Sequence, residues 1–315
     1  QAMISFNQLT VLQLIYFISQ LHQFRIVGRQ HDGDPLGHRQ LFKDLHAMGL
    51  RVGLYSSPMI FTWGSATSVH GKTHKEAADA ALWAKWGVDY IKYDWGNATR
   101  PKFAKRMREA LDATGRDVYL SVCTDCRVED AAEHAKYAQI VRAGNRDLID
   151  EWKGKGEKPN GVVDVMPFQK PWISHIRPGF WYDLDMMSLG PMYLGKHGNI
   201  LNERLIGNNL THNEAAFHFI YWAFCCNPIH LSCRMGQLDK FTLDLISNEE
   251  IIAIMMDYPA QAPRFESYDN GIVVGTRKLS DGRTVKAYFN FSDEFREIDG
   301  YYLPPHFARL KTDSF

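Results

Sequence analysis

The chain has 315 residues, of which 36 are lysine or arginine and 36 are aspartate or glutamate, so its formal net charge is zero. That balance gives no electrostatic reason to expect nucleic acid or an anionic membrane surface as a partner. The length suffices for one large hydrophobic core, or for one large domain and a small one. Aromatic residues make up 13% of the chain, which suits both a well-filled core and surfaces that stack on sugar rings.

The cysteine content excludes a disulfide-rich scaffold, because the five cysteines are few and odd in number. Cys123 and Cys126 have the CxxC spacing of a zinc site, but no second pair of suitable spacing follows. His70 and His74 lie four residues apart without an acidic partner motif, so we expect solvated loop histidines. We therefore predict no metal site, and either one local disulfide or buried thiols.

No run of about 18 apolar residues is present, so we predict no membrane span. The apolar start, residues 1–24, lacks a basic region and a small-residue cleavage site, and we do not expect it to be a signal peptide. Sequons at Asn97, Asn209 and Asn290 hint at secretion.

Strand-like and helical patterns alternate along the next 200 residues or so. In chain order, the pattern gives a strand at 51–57, a helix at 74–87, a strand at 88–94, a helix at 101–115, a strand at 117–123, a helix at 128–139, a short strand near 140–144, apolar runs at 162–166 and 180–187, a helix at 212–224, a strand at 229–233 and helical residues in 239–256. In the first helix, Ala78, Ala81, Leu82 and Trp86 have the spacing of one helix face, which predicts that they form its apolar side.

Repeated strand–helix units imply a parallel sheet, and their number favours a (β/α)8 TIM barrel over a doubly wound sheet. No glycine-rich nucleotide-binding loop is present. Residues 12–19 could supply the first strand, but no acidic residue follows it, so the first unit is expected to be divergent.

The pattern changes after residue 258. Residues 271–279 and 282–292 predict an antiparallel hairpin, and 296–305 is expected to continue it. We therefore predict a catalytic barrel over 1–258 and a small antiparallel β domain over 259–315, which is short for a complete sandwich.

In a (β/α)8 barrel the reactive side chains lie at the carboxyl ends of the strands. The predicted strand ends carry Tyr55, Lys92, Asp94, Cys123, Arg142, Asp147, Asp183, Asp185 and Ser232. Paired carboxylates at such a rim are what glycoside hydrolysis uses. Taken alone, Asp94 is more often a helix N-cap, Lys92 is more often a solvated edge residue, and Asp147 is equally a cap or an acid. Spacing alone therefore indicates a barrel enzyme and suggests hydrolysis.

Several longer stretches resemble one family. The runs GLRVGLYSSP, HKEAADAALWAKWGVDYIKYDW, VRAGNRDLIDEW and GFWYDLDMM are similar, in this order, to blocks of the α-galactosidase / α-N-acetylgalactosaminidase (melibiase) family, glycoside hydrolase family 27. The later runs NEAAFHFIYWAFCCNPIHLSC and SNEEIIAIMMDYP resemble its last barrel units. The resemblance implies a (β/α)8 barrel followed by an antiparallel β domain, in agreement with the pattern of elements.

The resemblance also implies roles for individual residues. Asp94 matches the nucleophile of the family's KYD motif, and Asp147, five residues before Trp152, matches its general acid/base. The side chains that match sugar-binding residues are Tyr55, Lys92, Arg142, Asp185 and Met186. These roles imply a retaining hydrolase that removes terminal α-linked galactose from oligosaccharides or glycoconjugates by double displacement, with the two carboxyl groups about 5–5.5 Å apart.

The same resemblance implies no metal or organic cofactor and a carbohydrate as the partner, with no nucleic acid and no membrane. A homodimer is left open. Members of the family are usually secreted, lysosomal or periplasmic, and we expect the same location here.

The chain departs from the family at three places. The family's adjacent Asp pair followed by Trp, at the end of its first strand, is missing, and Asp32-Gly33-Asp34 looks more like the loop downstream. Gly96 replaces the usual cysteine after the nucleophile motif. Thr124 occupies the position at which the family's glutamate accompanies specificity for galactose. A smaller residue at this position accompanies specificity for a sugar with a 2-acetamido group. The alternatives are therefore α-N-acetylgalactosaminidase or β-L-arabinopyranosidase activity, or a sugar-binding pseudoenzyme.

Overall fold

The computed structural model describes residues 38–58, 75–94, 100–123, 126–144, 147–157, 159–190, 192–193, 205–206, 208–233, 235–268 and 270–313. These residues fall into two compact units, the first within 38–144 and the second within 147–313. The strand predicted at 12–19 lies outside the described residues.

Alternating strands and helices build the first unit. Its elements are α1 (His38–Ala47), β1 (Gly53–Ser56), α2 (Glu76–Trp86), β2 (Tyr90–Tyr93), α3 (Pro101–Asp112), β3 (Tyr119–Val122), α4 (Ala131–His134) and β4 (Ile140–Arg142). The strands are parallel in the order β1-β2-β3-β4, and their register pairs Tyr55 with Lys92 and Lys92 with Ser121. Neighbouring parallel strands need a crossover connection, and α2, α3 and α4 lie in these connections.

Local sequence accounts for where these helices begin and end. Pro101 occupies the first turn of α3, where the missing N–H removes no helical hydrogen bond. The buried side chains of α3 recur at helical spacing and are Phe103, Ala104, Met107 and Leu111. Helix α2 ends at Gly87, whose φ of 85° is a left-handed conformation that glycine adopts at little cost.

The prediction for the apolar side of α2 is confirmed only for Trp86. The buried side chains of this helix are Glu76, Asp79, Ala80, Trp83 and Trp86. Glu76 can face inwards because its carboxylate accepts a 2.9 Å hydrogen bond from Arg106 of α3 and one of 3.4 Å from the Tyr93 hydroxyl. Burial, together with the negative charge of Glu76, raises the pKa of Asp79 from 3.8 to about 7.

The second unit combines helices with antiparallel strands. Its elements are α5 (Val162–Val165), β5 (Trp181–Asp183), β6 (Met192–Tyr193), β7 (Leu205–Ile206), α6 (His212–Phe224), α7 (Lys240–Ile246), α8 (Glu249–Met255), β8 (Arg264–Ser267), β9 (Ile272–Lys278), β10 (Thr284–Asn290), β11 (Arg296–Ile298), β12 (Tyr301–Leu303) and β13 (Phe307–Thr312). The C-terminal sheet has the order β13-β10-β9-β8, with antiparallel neighbours. The predicted hairpin is confirmed as β9 and β10. The domain boundary near residue 258 stays a prediction.

Helix α6 is buried along most of its length. It begins with a capping box, in which the Thr211 hydroxyl accepts from the Glu214 amide and the Glu214 carboxylate accepts from the Thr211 amide at 2.8 Å. At its other end, Arg277 of β9 donates to the last two carbonyl groups of the helix. A Cβ atom on Gly275 would lie 2.5 Å from the ring of Phe224, so the close approach of β9 requires glycine.

Three segments differ from the predicted pattern. Residues 229–233 are not a strand, since only Leu231 makes an isolated bridge, to Met187. The helix predicted at 128–139 is reduced to α4 and a preceding 3-10 turn. Residues 296–303 form a separate two-stranded pair rather than a continuation of the hairpin. A short apolar run is equally compatible with a buried strand and buried coil, which explains the first difference.

All five cysteine side chains are buried thiols. Within the described ranges, no helix is long and apolar enough to cross a membrane.

Candidate active site

In the first unit, the β1–β2 pairing brings three predicted site residues together. Tyr55 and Lys92 are register partners on adjacent strands. Lys92 and Asp94 are two positions apart, so their side chains point to the same face of the sheet. The Tyr55 hydroxyl donates a 2.5 Å hydrogen bond to Asp94 Oδ2, and the Asp94 amide donates to the Ser56 carbonyl at 2.8 Å. Asp94 is only 6% exposed, so its carboxylate lies in a largely desolvated position directly after β2.

Arg142 lies at the end of β4 and is buried, with 1% of its surface exposed. Its Nη1 atom is 4.0 Å from Cys123 Sγ, and its carbonyl accepts from the Cys126 amide at 3.1 Å. The Cys123 amide in turn donates to the Tyr93 carbonyl at 3.0 Å. The guanidinium is therefore held near the carboxyl end of β3. Its five fixed N–H groups suit recognition of oxygen acceptors.

In the second unit, Asp185 contacts the segment that carries Asp147. Its Oδ2 atom accepts a 2.6 Å hydrogen bond from the Leu148 amide, and Leu148 directly follows Asp147. Asp185 is 2% exposed and has a φ of 91°, a left-handed conformation that is uncommon outside glycine. Met186 follows it and is partly exposed.

Asp147 combines an exposed side chain with a fixed backbone. Its carbonyl accepts a 2.5 Å hydrogen bond from Asn160 Nδ2. The next two amides are also held, Leu148 by Asp185 and Ile149 by the Asn160 carbonyl at 3.1 Å. The carboxyl group can therefore reach a ligand while its main chain stays in place.

Three residues support Asp185; the sequence analysis placed Asp183 at a strand end, and the other two had no predicted role. Asp183 Oδ1 accepts from the Asp185 amide at 2.7 Å, and Trp222 Nε1 donates to the Asp185 carbonyl at 3.2 Å. His230 Nδ1 lies 3.8 Å from Asp183 Oδ2, with both side chains buried. Asp183 shares the WYDLD run with Asp185, so the sequence carried a signal for it. Trp222 and His230 lie about 40 residues away and no local pattern connects them to this position.

Neither proposed catalytic carboxylate is the N-cap of a helix that the structure describes. The N-cap residue of α3, the next described helix after Asp94, is Arg100. The N-cap residue of α5, the next helix after Asp147, is Gly161. Lys92 lies in β2, which has β1 and β3 on either side, and is therefore no edge residue.

No cluster of three or more histidine, cysteine or acidic side chains suitable for a metal ion occurs in the part of the chain that the structure describes. The residues that depart from the family pattern, Asp32 to Asp34, Gly96 and Thr124, lie outside the described residues, as do His70 and His74.

Comparison with known proteins identifies the family of the chain. The Melibiase_2 family model, described as Alpha galactosidase A, matches residues 23–257. Alpha-galactosidase 2 of Arabidopsis thaliana is 30% identical over 227 residues, which cover 71% of this chain and 50% of that protein. The chain thus spans about half the length of the curated relatives it matches.

Two solved structures share the fold. A family 27 β-L-arabinopyranosidase from Geobacillus stearothermophilus superposes with a TM-score of 0.72 at 20% identity, covering 89% of this chain and 77% of that one. Alpha-galactosidase I from Mortierella vinacea gives a TM-score of 0.73 at 22% identity, with 88% and 80% covered.

The fold is a (β/α)8 barrel followed by an antiparallel β domain, as predicted. Because the family model matches most of the chain, the protein belongs to the α-galactosidase family, glycoside hydrolase family 27.

Proposed function

We propose that this chain is a retaining glycoside hydrolase that removes terminal α-linked galactose. The observation that carries the proposal is the position of Asp94. It is a buried carboxylate at the carboxyl end of a parallel strand, it caps none of the described helices, and a tyrosine hydroxyl orients one of its oxygens. A nucleophilic carboxylate needs such a fixed orientation, with the other oxygen directed at the anomeric carbon.

Asp147 is the general acid/base in this proposal. It protonates the glycosidic oxygen as Asp94 attacks, and then removes a proton from the water that hydrolyses the glycosyl–enzyme intermediate. Its exposed carboxyl group on a fixed main chain supports this role, because the same group has to meet first a leaving group and then a water.

The proposed sugar-binding residues are Tyr55, Lys92, Arg142, Asp185 and Met186. Lys92 and Arg142 supply donors to sugar hydroxyl groups, and Met186 supplies an apolar contact. Asp185 binds the Leu148 amide as well. Its carboxylate therefore couples sugar recognition to the position of Asp147.

The anomeric configuration of the first product tests the mechanism. We expect proton NMR of p-nitrophenyl α-galactoside hydrolysis to show α-galactose first, with the β anomer growing in only through mutarotation. Initial formation of β-galactose would exclude a glycosyl–enzyme intermediate and assign Asp94 a different role.

A second candidate is β-L-arabinopyranosidase activity, which is the activity named for the Geobacillus structure that shares this fold. α-N-acetylgalactosaminidase activity is the third. Initial rates on the three corresponding p-nitrophenyl glycosides separate them, because the sugars differ at the C5 or C2 substituent while the reacting bond stays the same. We expect the galactoside to give the highest kcat/KM.

A secreted, lysosomal or periplasmic location and a homodimer stay predictions. Of the sequons, Asn209 is exposed, whereas Asn290 is fully buried. The Asn290 side-chain amide donates to the carbonyls of Glu294, Leu303 and Pro304. A glycan at Asn290 is therefore incompatible with this fold.

A further inference from the structure

The segment that follows Asp147 is held by one aromatic side chain, Trp152. Its ring stacks on the imidazole of His306, with centroids 4.5 Å apart and planes 26° from parallel. The ring of Phe217, on α6, meets Trp152 edge-on at 4.9 Å. His306 immediately precedes β13, so the contact joins the C-terminal sheet region to the segment of Asp147.

His306 is itself fixed by two carboxylates. Its Nδ1 atom lies 2.8 Å from Glu214 Oε1, and its Nε2 atom lies 2.9 Å from Asp293 Oδ1. A neutral imidazole has a single N–H group, so only the imidazolium form donates to both partners.

One of these carboxylates belongs to the capping box at the start of α6. The second oxygen of Glu214 accepts from the amide and the hydroxyl of Thr211, at 2.8 Å each, in the capping box of α6. Asp293, in contrast, is 94% exposed. His306 is therefore anchored mainly through Glu214 to the start of a buried helix.

The main chain transmits this anchoring towards Asp147. The Trp152 carbonyl accepts from the Val163 amide at 3.1 Å, and the Ile149 amide donates to the Asn160 carbonyl at 3.1 Å. Residues 149–152 thus pair with residues 160–163. The side-chain contact of Trp152 lies at the far end of this pairing from Asp147.

We propose that His306 is a positioning residue for Asp147, acting through Trp152 on the segment 147–152. The part of the proposal that concerns catalysis rests on the proposed function of Asp147. The contact would make the C-terminal sheet region a determinant of proton transfer by Asp147.

The first test measures the segment itself and needs no activity. Hydrogen–deuterium exchange at the Leu148 and Ile149 amides is compared between the wild-type chain and His306→Ala. We expect at least fivefold faster exchange in the variant at these two amides, with unchanged exchange in β9 and β10. Unchanged exchange at Leu148 and Ile149 would overturn the proposal.

A matched control exists elsewhere in the same unit. His175 also contacts a tryptophan ring, with a centroid distance of 6.2 Å to Trp172. His175→Ala should leave the exchange of Leu148 and Ile149 unchanged. Asp293→Asn keeps the ring and the Glu214 contact, so it should give a smaller acceleration than His306→Ala. Equal acceleration in all three variants would indicate general destabilisation and would also overturn the proposal.

The second test measures the function of Asp147 as a general acid. A poor leaving group depends on protonation by the general acid, whereas 2,4-dinitrophenolate leaves without it. We expect His306→Ala to lower kcat/KM for methyl α-galactoside about tenfold, and for 2,4-dinitrophenyl α-galactoside less than twofold. Equal losses on both substrates would refute a positioning role in proton transfer. An inactive wild-type chain would refute the proposed function, while the exchange result would still decide whether His306 holds the segment.

Discussion

Replacing Asp185 tests its connection to the segment that carries Asp147. In Asp185→Ala the Leu148 amide loses its acceptor, and a buried donor without a partner costs about 1–3 kcal/mol. Alanine must also keep a φ near 91°, which costs about 1–2 kcal/mol. Removing a buried carboxylate offsets part of this, so we expect a net loss of about 2–4 kcal/mol in the free energy of unfolding. Asparagine keeps an oxygen acceptor and tolerates left-handed backbone, so Asp185→Asn should lose only about 1 kcal/mol.

Urea unfolding of the wild type and both variants, followed by tryptophan fluorescence, measures these losses. Exchange of the Leu148 amide locates them, because it should accelerate strongly in the alanine variant and little in the asparagine variant. Equal stability of the two variants, or an unchanged Leu148 amide in Asp185→Ala, would refute the role assigned to this hydrogen bond.

Two further predictions concern burial. Because the pKa of Asp79 is raised to about 7 by burial and by Glu76, the folded chain binds a proton more tightly than the unfolded chain, and stability should fall as pH rises from about 4 to about 7. Asp79→Asn should remove up to about 3 kcal/mol of this pH dependence between pH 5 and pH 8, measured by urea unfolding, and an unchanged pH dependence would contradict it. Gly275→Ala should lower the free energy of unfolding by about 1–3 kcal/mol, because its Cβ would lie 2.5 Å from the Phe224 ring. Gly236 has open space around it, so Gly236→Ala should lower the same quantity by less than about 1 kcal/mol. Equal losses for the two variants in thermal unfolding would refute the close contact.

The helix α2 shows what periodicity can and cannot predict. Its existence and ends follow from local signals, and the prediction of 74–87 differs from Glu76–Trp86 by a residue or two. Its buried face could not be predicted, because the acidic residue Glu76 is stabilised by Arg106 on the next helix. A partner 30 residues away leaves no trace in the spacing of apolar side chains.

The candidate site likewise combines features that local sequence predicts with contacts that it does not predict. The position of Asp94 after an apolar run ending in Lys92 was visible in the sequence, because strand ends and their register are local properties. The contact of Asp185 with Leu148 was not visible, because 37 residues separate the two and the bond uses a backbone amide. The sequence could therefore suggest candidate reactive side chains but not the residues that hold them.

The most direct test of the account is the hydrolysis of p-nitrophenyl α-galactoside by the purified chain and by Asp94→Asn. The substitution keeps the size of the side chain and an oxygen that can accept from the Tyr55 hydroxyl, but removes the nucleophilic charge. We predict measurable hydrolysis by the wild type and a loss of about a thousandfold or more in the variant. A folded wild-type chain without activity, or a variant as active as the wild type, would contradict the assignment of Asp94 as the nucleophile of a retaining glycosidase.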